Sequence, residues 1–187
     1  MTENLLPQII QDLRKKTLAQ FQLAYTGWYL SGGPMQGDDS EISFNTDVIS
    51  PEEFSQLVKE QRNADSAASL TPDIDIELTD CFAYEIRKKP GSAFSQWITI
   101  GRALNNDIVL RFPTVSKSHA RLEIESTAFG DPLGYHLIDN HSAVKTVLNG
   151  ELLTADKRIS IAIGDIILFG KIRCTVMDAT LFWEQLR

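Results

Sequence analysis

From residue 81 to residue 178 the sequence falls into short apolar or alternating runs, each closed by a turn signal. That rhythm limits the fold more than any other feature of the chain. The runs at 81–89, 97–100, 108–110, 120–125, 135–139, 146–148, 158–161, 166–169 and 172–177 are too short for stable helices and suit strands. Between them stand Pro90-Gly91-Ser92, Asn105-Asn106, Gly164-Asp165 and Gly170-Lys171, which favour turns. Asn149-Gly150, set between Val147-Leu148 and Leu152-Leu153, is a strong hairpin signal. Many short strands at roughly 8–12-residue spacing imply an all-β sandwich or barrel.

The first part of the chain reads differently. Leu6, Ile10, Leu13, Phe21, Ala24 and Trp28 recur at helical spacings, which predicts a helix over 4–29 with Pro7 in its first turn. Its apolar face calls for a cover: its own small helical unit, a partner helix or self-association. Ser31-Gly32-Gly33-Pro34 through Ser40 reads as a loop. Ser50-Pro51-Glu52-Glu53 carries a capping box and starts a second expected helix that ends near residue 62. Residues 63–80, rich in Ala, Ser, Asp and Pro, read as an acidic linker. The expected organisation is a helical extension over 1–62, a linker over 63–80, a β domain over 81–178 and a short tail over 179–187. A helical turn or two is expected within 180–186.

Charge divides the chain at the same place. Residues 1–79 carry 5 basic and 13 acidic residues, a balance of −8, whereas residues 80–187 carry 13 and 12, a balance of +1. With all the net acidity in the first part, nucleic acid is not an expected partner, because backbone phosphates demand a basic surface. No apolar run approaches the roughly 20 residues that span a bilayer, and no secretory signal is expected at the start. Cys81 and Cys174 lack metal-ligand spacing and read as buried thiols of a cytoplasmic protein. They fall in the first and last strands of one domain, which leaves a disulfide open if those strands are neighbours.

Two loops stand out within the strand region. Gly101 ends one strand and delivers Arg102 into a loop. Val115-Ser116-Lys117-Ser118-His119 forms a second loop before the next strand. A guanidinium and a hydroxyl presented together suit a phosphate group. Together with Asn106-Asp107-Ile108, His119-Ala120, Tyr135, Leu137, Asp139, Ser142, Thr146, Asn149-Gly150, Gly164-Asp165 and Phe169-Gly170, these residues resemble the forkhead-associated (FHA) domain, a phosphothreonine-peptide-binding module. The resemblance covers roughly residues 82–178.

The resemblance implies a sandwich of two twisted β-sheets with the binding loops at one end. It implies that Arg102 and Ser116 contact the phosphate, with Lys117, Ser142 and Lys145 completing the phosphopeptide-binding set. It casts His119 as a structural brace and Gly101, Asn149 and Gly150 as architectural. A slot that prefers phosphothreonine to phosphoserine is likewise implied by resemblance. The chain departs from the family at one place. After Asp139 the family usually reads Ser-x-Asn-Gly-Thr, its Asn holding the peptide main chain. Here the residues are Ser142-Ala143-Val144-Lys145-Thr146. Val144 has no side-chain hydrogen bond to give, a loss of about 1–3 kcal/mol if the bond is needed. Lys145 replaces a glycine and brings positive charge to the rim.

Enzymatic motifs are missing: there is no Walker loop, no His-Glu-x-x-His, no Cys-x-x-Cys and no Gly-x-Ser-x-Gly. His119, His136 and His141 lack metal-site spacing; His141, in a turn, is a candidate rim contact. No catalytic residue, metal or cofactor is expected. The expected function is a cytoplasmic adaptor that docks on a threonine-phosphorylated protein. The alternative is an assembly protein whose β domain binds partners independently of phosphate. Thr71, followed by Ile74 at the third position, is a candidate intramolecular ligand at high effective concentration once phosphorylated.

Overall fold

The computed structural model describes residues 3–34, 81–91, 96–126 and 132–186. Among them lie two helices at the start, α1 (Leu6–Lys15) and α2 (Leu18–Ala24), and one at the end, α3 (Ala179–Leu186). Between these run eleven strands: β1 (Tyr29–Pro34), β2 (Phe82–Glu85), β3 (Trp97–Gly101), β4 (Ile108–Val109), β5 (Ala120–Ser126), β6 (Pro132–Asp139), β7 (Thr146–Leu148), β8 (Glu151–Leu152), β9 (Ile159–Ile161), β10 (Ile166–Phe169) and β11 (Ile172–Met177). They form two sheets, β2-β1-β11-β10-β7-β8 and β4-β3-β5-β6-β9. The β3–β4 pair is parallel and the other pairs are antiparallel.

Alternation decides which side chains meet between the sheets. Leu30, Phe82, Ile167, Phe169, Cys174 and Val176 of the first sheet share one buried cluster with Ile98, Ile100, Leu122, Leu137 and Ile161 of the second. The fold is therefore a two-sheet β-sandwich with N-terminal helices. Fully burying each such side chain contributes about 1.5–3 kcal/mol.

The chain enters the sheet earlier than its composition suggests. Ser31-Gly32-Gly33-Pro34, expected to be a loop, forms most of β1, which sits between β2 and β11. The cause is close approach rather than turning: a Cβ on Gly32 would lie 1.9 Å from the Arg173 carbonyl oxygen. Residues 35–80 thus connect two hydrogen-bonded neighbours, with Gly32 paired to Phe82. Residues 29–34 thus share the first sheet with β2, across the boundary expected near residue 80. The expected second helix at 50–62, the linker at 63–80 and Thr71 lie outside the described residues. Both cysteines are free thiols, and β1 separates β11, which carries Cys174, from β2, which begins one residue after Cys81.

The single helix expected over 4–29 is two helices followed by a strand. Thr17 breaks it: its hydroxyl accepts from the Gln20 amide (3.4 Å), while the Gln20 side chain accepts from the Thr17 amide (3.0 Å). Leu6, Ile9 and Leu13 of α1, Phe21 and Tyr25, and Ala179 and Phe182 of α3 bury together over Tyr29, Ala83 and Met177 on the outer face of the first sheet. Asn4 fastens this cover to the sheet edge. Its Oδ1 accepts from the Ala83 amide (3.0 Å) and its Nδ2 donates to the Cys81 carbonyl (3.0 Å). The expected apolar face of the N-terminal segment is covered by the chain's own sheet and its own last helix.

Candidate functional site

Three loops meet at the ends of β3, β5 and β6. The loop after β3 and the loop before β5 are zipped through the backbone: Arg102 N donates to Ser116 O (2.9 Å), Ala103 N to Lys117 O (3.2 Å) and His119 N to Ile100 O (2.9 Å). This approach requires a glycine at 101, where a Cβ would stand 2.5 Å from Lys117 O. Asn106 reinforces the zipper, its Nδ2 donating to Ala103 O (2.8 Å) and Lys117 O (2.7 Å).

Two buried carboxylates anchor the strand ends behind these loops. Asp107, only 1% exposed, accepts from Thr99 N (2.8 Å), Thr99 Oγ1 (3.0 Å), Lys89 N (3.0 Å) and Lys88 Nζ (3.1 Å). Burial alone would raise its pKa, but the Thr99 and Lys89 amides and the Lys88 and Thr99 side chains outweigh it and hold it below the ordinary range. Asp139 is fully buried. It accepts from Ser142 N (3.0 Å), Ser142 Oγ (2.5 Å), Thr146 N (3.1 Å) and Thr146 Oγ1 (2.7 Å). Its pKa is also lowered, because these bonds overcome the desolvation that pushes it upward.

His119 sets the second loop. Its Nδ1 accepts from the Ser116 amide (3.0 Å), so the ring is neutral and its proton sits on Nε2. Burial holds its pKa at about 4; the nearby Asp139 charge and the Lys145 backbone oppose that shift without cancelling it. No well-formed hydrogen bond reaches Nε2 among the described residues. His119 is therefore a brace, and its ring also meets Phe169 edge-on.

On this frame stand the groups that face solvent. Arg102 is exposed; its Nε donates to Val115 O (3.1 Å), which fixes the guanidinium and leaves its Nη edge facing outward. Ser116 Oγ accepts from Ala143 N (3.0 Å). With its lone pair engaged from behind, the hydroxyl keeps its hydrogen for an anion. Lys117 is exposed and Lys145 half-buried. None of Arg102, Lys117 and Lys145 is paired with a carboxylate among the described residues. A fixed guanidinium, a hydroxyl and two ammonium groups are the donor types that suit a compact, multiply charged oxyanion.

The structure brings Arg102, Ser116, Lys117 and Lys145 onto these linked loops but removes Ser142 from the exposed set. Ser142 is 1% exposed and its hydroxyl is bonded to Asp139, so it shapes the loop from inside. Val144 turns from the hydrogen-bonding role of the residue it replaces to packing: with Leu152 it covers Val147 and Leu168 on the outer face of the first sheet. Asn149 (φ +50°) and Gly150 (φ +84°) form the β7–β8 turn. Asn149 Nδ2 donates to Asp165 (2.8 Å), and its Oδ1 accepts from Ile166 N (2.9 Å). His141 contacts Asp156 (2.5 Å), both at positive φ. Sequence reasoning missed Asn140. It accepts from Arg121 Nη1, donates to Ser118 Oγ (3.2 Å) and gives its amide to His119 O (2.9 Å), tying the third loop to the second. Its position after a strand marks a turn residue, but partners twenty residues away leave no sequence signal.

Among the described residues no group of three or more His, Cys, Asp or Glu is placed to hold a metal, and no helix is long and apolar enough to cross a membrane. Part of the chain is similar to a known family. The sequence model of the FHA domain matches residues 98–170. No curated protein matches the chain. Among solved structures, the MEK1 FHA domain in complex with a HOP1 phosphothreonine peptide is 26% identical, covering 51% of this chain and 87% of that one, with a TM-score of 0.41. The FHA domain of an Arabidopsis thaliana hypothetical protein is 28% identical over 53% of this chain and 74% of its own, with a TM-score of 0.39. A structure from an analysis of phosphothreonine-dependent FHA domain interactions is 21% identical over 51% and 82%, with a TM-score of 0.40.

Proposed function

We propose that this chain, whose residues 98–170 match the FHA-domain model, is a phosphothreonine-peptide-binding adaptor whose phosphate ligands are Arg102, Ser116 and Lys117. The observation that carries the reading is the backing of the two central groups. Arg102 is pinned through Nε to Val115 O, and Ser116 Oγ already accepts from Ala143 N, so both donors are aimed before a ligand arrives. A phosphothreonine carries about −2 charge and three acceptor oxygens, which matches a bidentate guanidinium, a hydroxyl donor and an ammonium.

The partner is a protein phosphorylated on threonine, and the chain binds rather than transforms it. His119, on the Ser116 loop, is buried and neutral and has its Nδ1 occupied, so it does not act on the ligand. The described residues belong to one unit in which the N-terminal helices and α3 cover the sandwich; the site lies on loops of the sheets. The test is fluorescence anisotropy with matched phosphothreonine, phosphoserine and unphosphorylated peptides. The expected result is binding of the phosphothreonine series by the intact chain and loss on Arg102→Ala. Equal binding of phosphorylated and unphosphorylated peptides would instead establish the phosphate-independent assembly role.

A further inference from the structure

The three site loops, residues 102–106, 115–119 and 140–145, contain no Asp or Glu. The carboxylates that flank them, Asp107 and Asp139, are buried and fully occupied by hydrogen bonds. Asp156, which reaches the third loop, is held by His141 (2.5 Å) and Arg121 (3.6 Å). The solvent side of these loops is thus cationic with no exposed carboxylate of its own. Arg102 and Lys117 by themselves balance a phosphothreonine dianion of about −2. Lys145 is a third cation beyond that balance.

Lys145 is also held close to the phosphate ligands. It lies two residues after Ala143, whose amide bonds to Ser116 Oγ at 3.0 Å. Its ammonium and backbone both act on His119, the ring that supports the Ser116 amide. The next residue, Thr146, is fixed to Asp139 through both its amide (3.1 Å) and its hydroxyl (2.7 Å). Lys145 therefore extends from an anchored backbone beside the Ser116 loop. Its neighbour Val144 packs over Val147 and Leu168 and offers the peptide no polar contact.

We infer that Lys145 is a specificity-determining residue, directing the site to phosphothreonine peptides that carry a second anionic side chain near the phosphothreonine. The inference rests on the phosphothreonine-binding reading and goes beyond it by naming the class of peptide. A half-buried ammonium left unpaired gains more from a ligand anion than an exposed one, and the gain is screened by salt.

The test uses the full chain and fluorescein-labelled peptides with phosphothreonine flanked only by alanine. Asp is then placed in turn at each of the three positions on either side, and phosphoserine replaces Asp at the best position. Wild type, Lys145→Gln, Lys117→Gln and Arg102→Ala are compared at low and high salt, with thermal melts to show that each variant is folded. The expected result is a gain of about fivefold for Asp at one or more positions. That gain disappears in Lys145→Gln, persists in Lys117→Gln and shrinks at high salt. A larger gain with phosphoserine than with Asp would support the inference and identify a second phosphate as the preferred anion. Equal binding of the alanine and Asp series, or a gain retained in Lys145→Gln, would overturn the inference while leaving phosphothreonine binding intact. Failure of every phosphorylated peptide to outbind its unphosphorylated control would overturn both.

Discussion

The helical cover and the loop cluster of this molecule are built from opposite materials. The cover is an apolar joint: Leu6, Ile9, Leu13, Phe21 and Phe182 bury over Tyr29, Ala83 and Met177, with few polar contacts beyond the Asn4 clamp. The loop cluster is a hydrogen-bonded frame: Asn106, Asp107, His119, Asp139 and Asn140 are consumed internally so that Arg102 and Ser116 are not. Apolar burial is non-directional and tolerates small shifts, which suits a joint whose task is to close a sheet face. Hydrogen bonds are directional, and a bound phosphate needs donors held in place. The comparison implies that stability and binding can be damaged separately.

The largest effect falls on the cover. Phe182 is fully buried between the terminal helices and the sheet. Phe182→Ala is expected to cost about 3–5 kcal/mol of unfolding free energy. Phosphopeptide affinity measured on the folded fraction should stay within about twofold, since no site loop touches Phe182 in that cluster. Urea denaturation and anisotropy on one preparation check both halves. A parallel loss of affinity would show that the two regions are one cooperative device.

The frame has its own signature, in pH. His119 has a folded pKa of about 4 against an ordinary 6.5, so the unfolded chain binds the proton more readily between those values. Its contribution is complete above pH 6.5 and is lost as pH falls toward 4, a change of about 3 kcal/mol. The depressed Asp107 and Asp139 contribute above the ordinary carboxylate pKa and fail at still lower pH. Chemical denaturation across this range should show the stability falling from pH 6.5 downward. His119→Gln should flatten that limb and leave the lower one. A His119 ring that titrates near 6.5 by NMR would contradict the buried, neutral brace.

Next comes the group that the frame presents. Arg102→Ala removes two charge-assisted bonds to phosphate, worth about 3 kcal/mol or roughly 100-fold in affinity. It removes only one part-buried side-chain bond, to Val115 O, from the fold, so the melting temperature should change little. Isothermal titration and a thermal melt separate the two. Arg102→Lys should restore charge but only part of the affinity, because an ammonium lacks the guanidinium fork.

These contrasts also explain what the sequence disclosed. Strand rhythm located the strands from β2 to β11, because alternation and turn residues are local signals. The two loops that carry Gly101, Arg102 and Ser116 were legible because a strand end followed by a short loop is a local pattern too. Gly32 misled, because a glycine that permits close approach and a glycine that permits a turn look alike without the opposite strand. Thr17 split the expected helix through a capping box that the apolar period spans. Ser142 was expected among the ligands, but its hydroxyl turns inward to Asp139, a choice made by three-dimensional burial. Asn140 bridges to Ser118 and Arg121, and pairing at that distance along the chain has no local trace.

The smallest effect probes the boundary between the two building styles. Val144 sits on a site loop but joins an apolar cluster with Leu152, Val147 and Leu168, so it belongs to the hydrogen-bonded region by position and to the apolar style by contact. Val144→Asn removes branched apolar surface from that cluster and should cost about 1 kcal/mol of stability. If the side chain at 144 stays over the sheet, affinity for a phosphothreonine peptide will stay within about twofold. A gain of about tenfold, the value of one peptide hydrogen bond of 1–2 kcal/mol, would mean that the loop can turn residue 144 toward the ligand. Because Ala143 N is held by Ser116 Oγ and Thr146 by Asp139, only the two residues between them are free to make that turn. Rotating Val144 off the sheet would also uncover Val147 and Leu168 to water, so the unchanged affinity is the expected outcome.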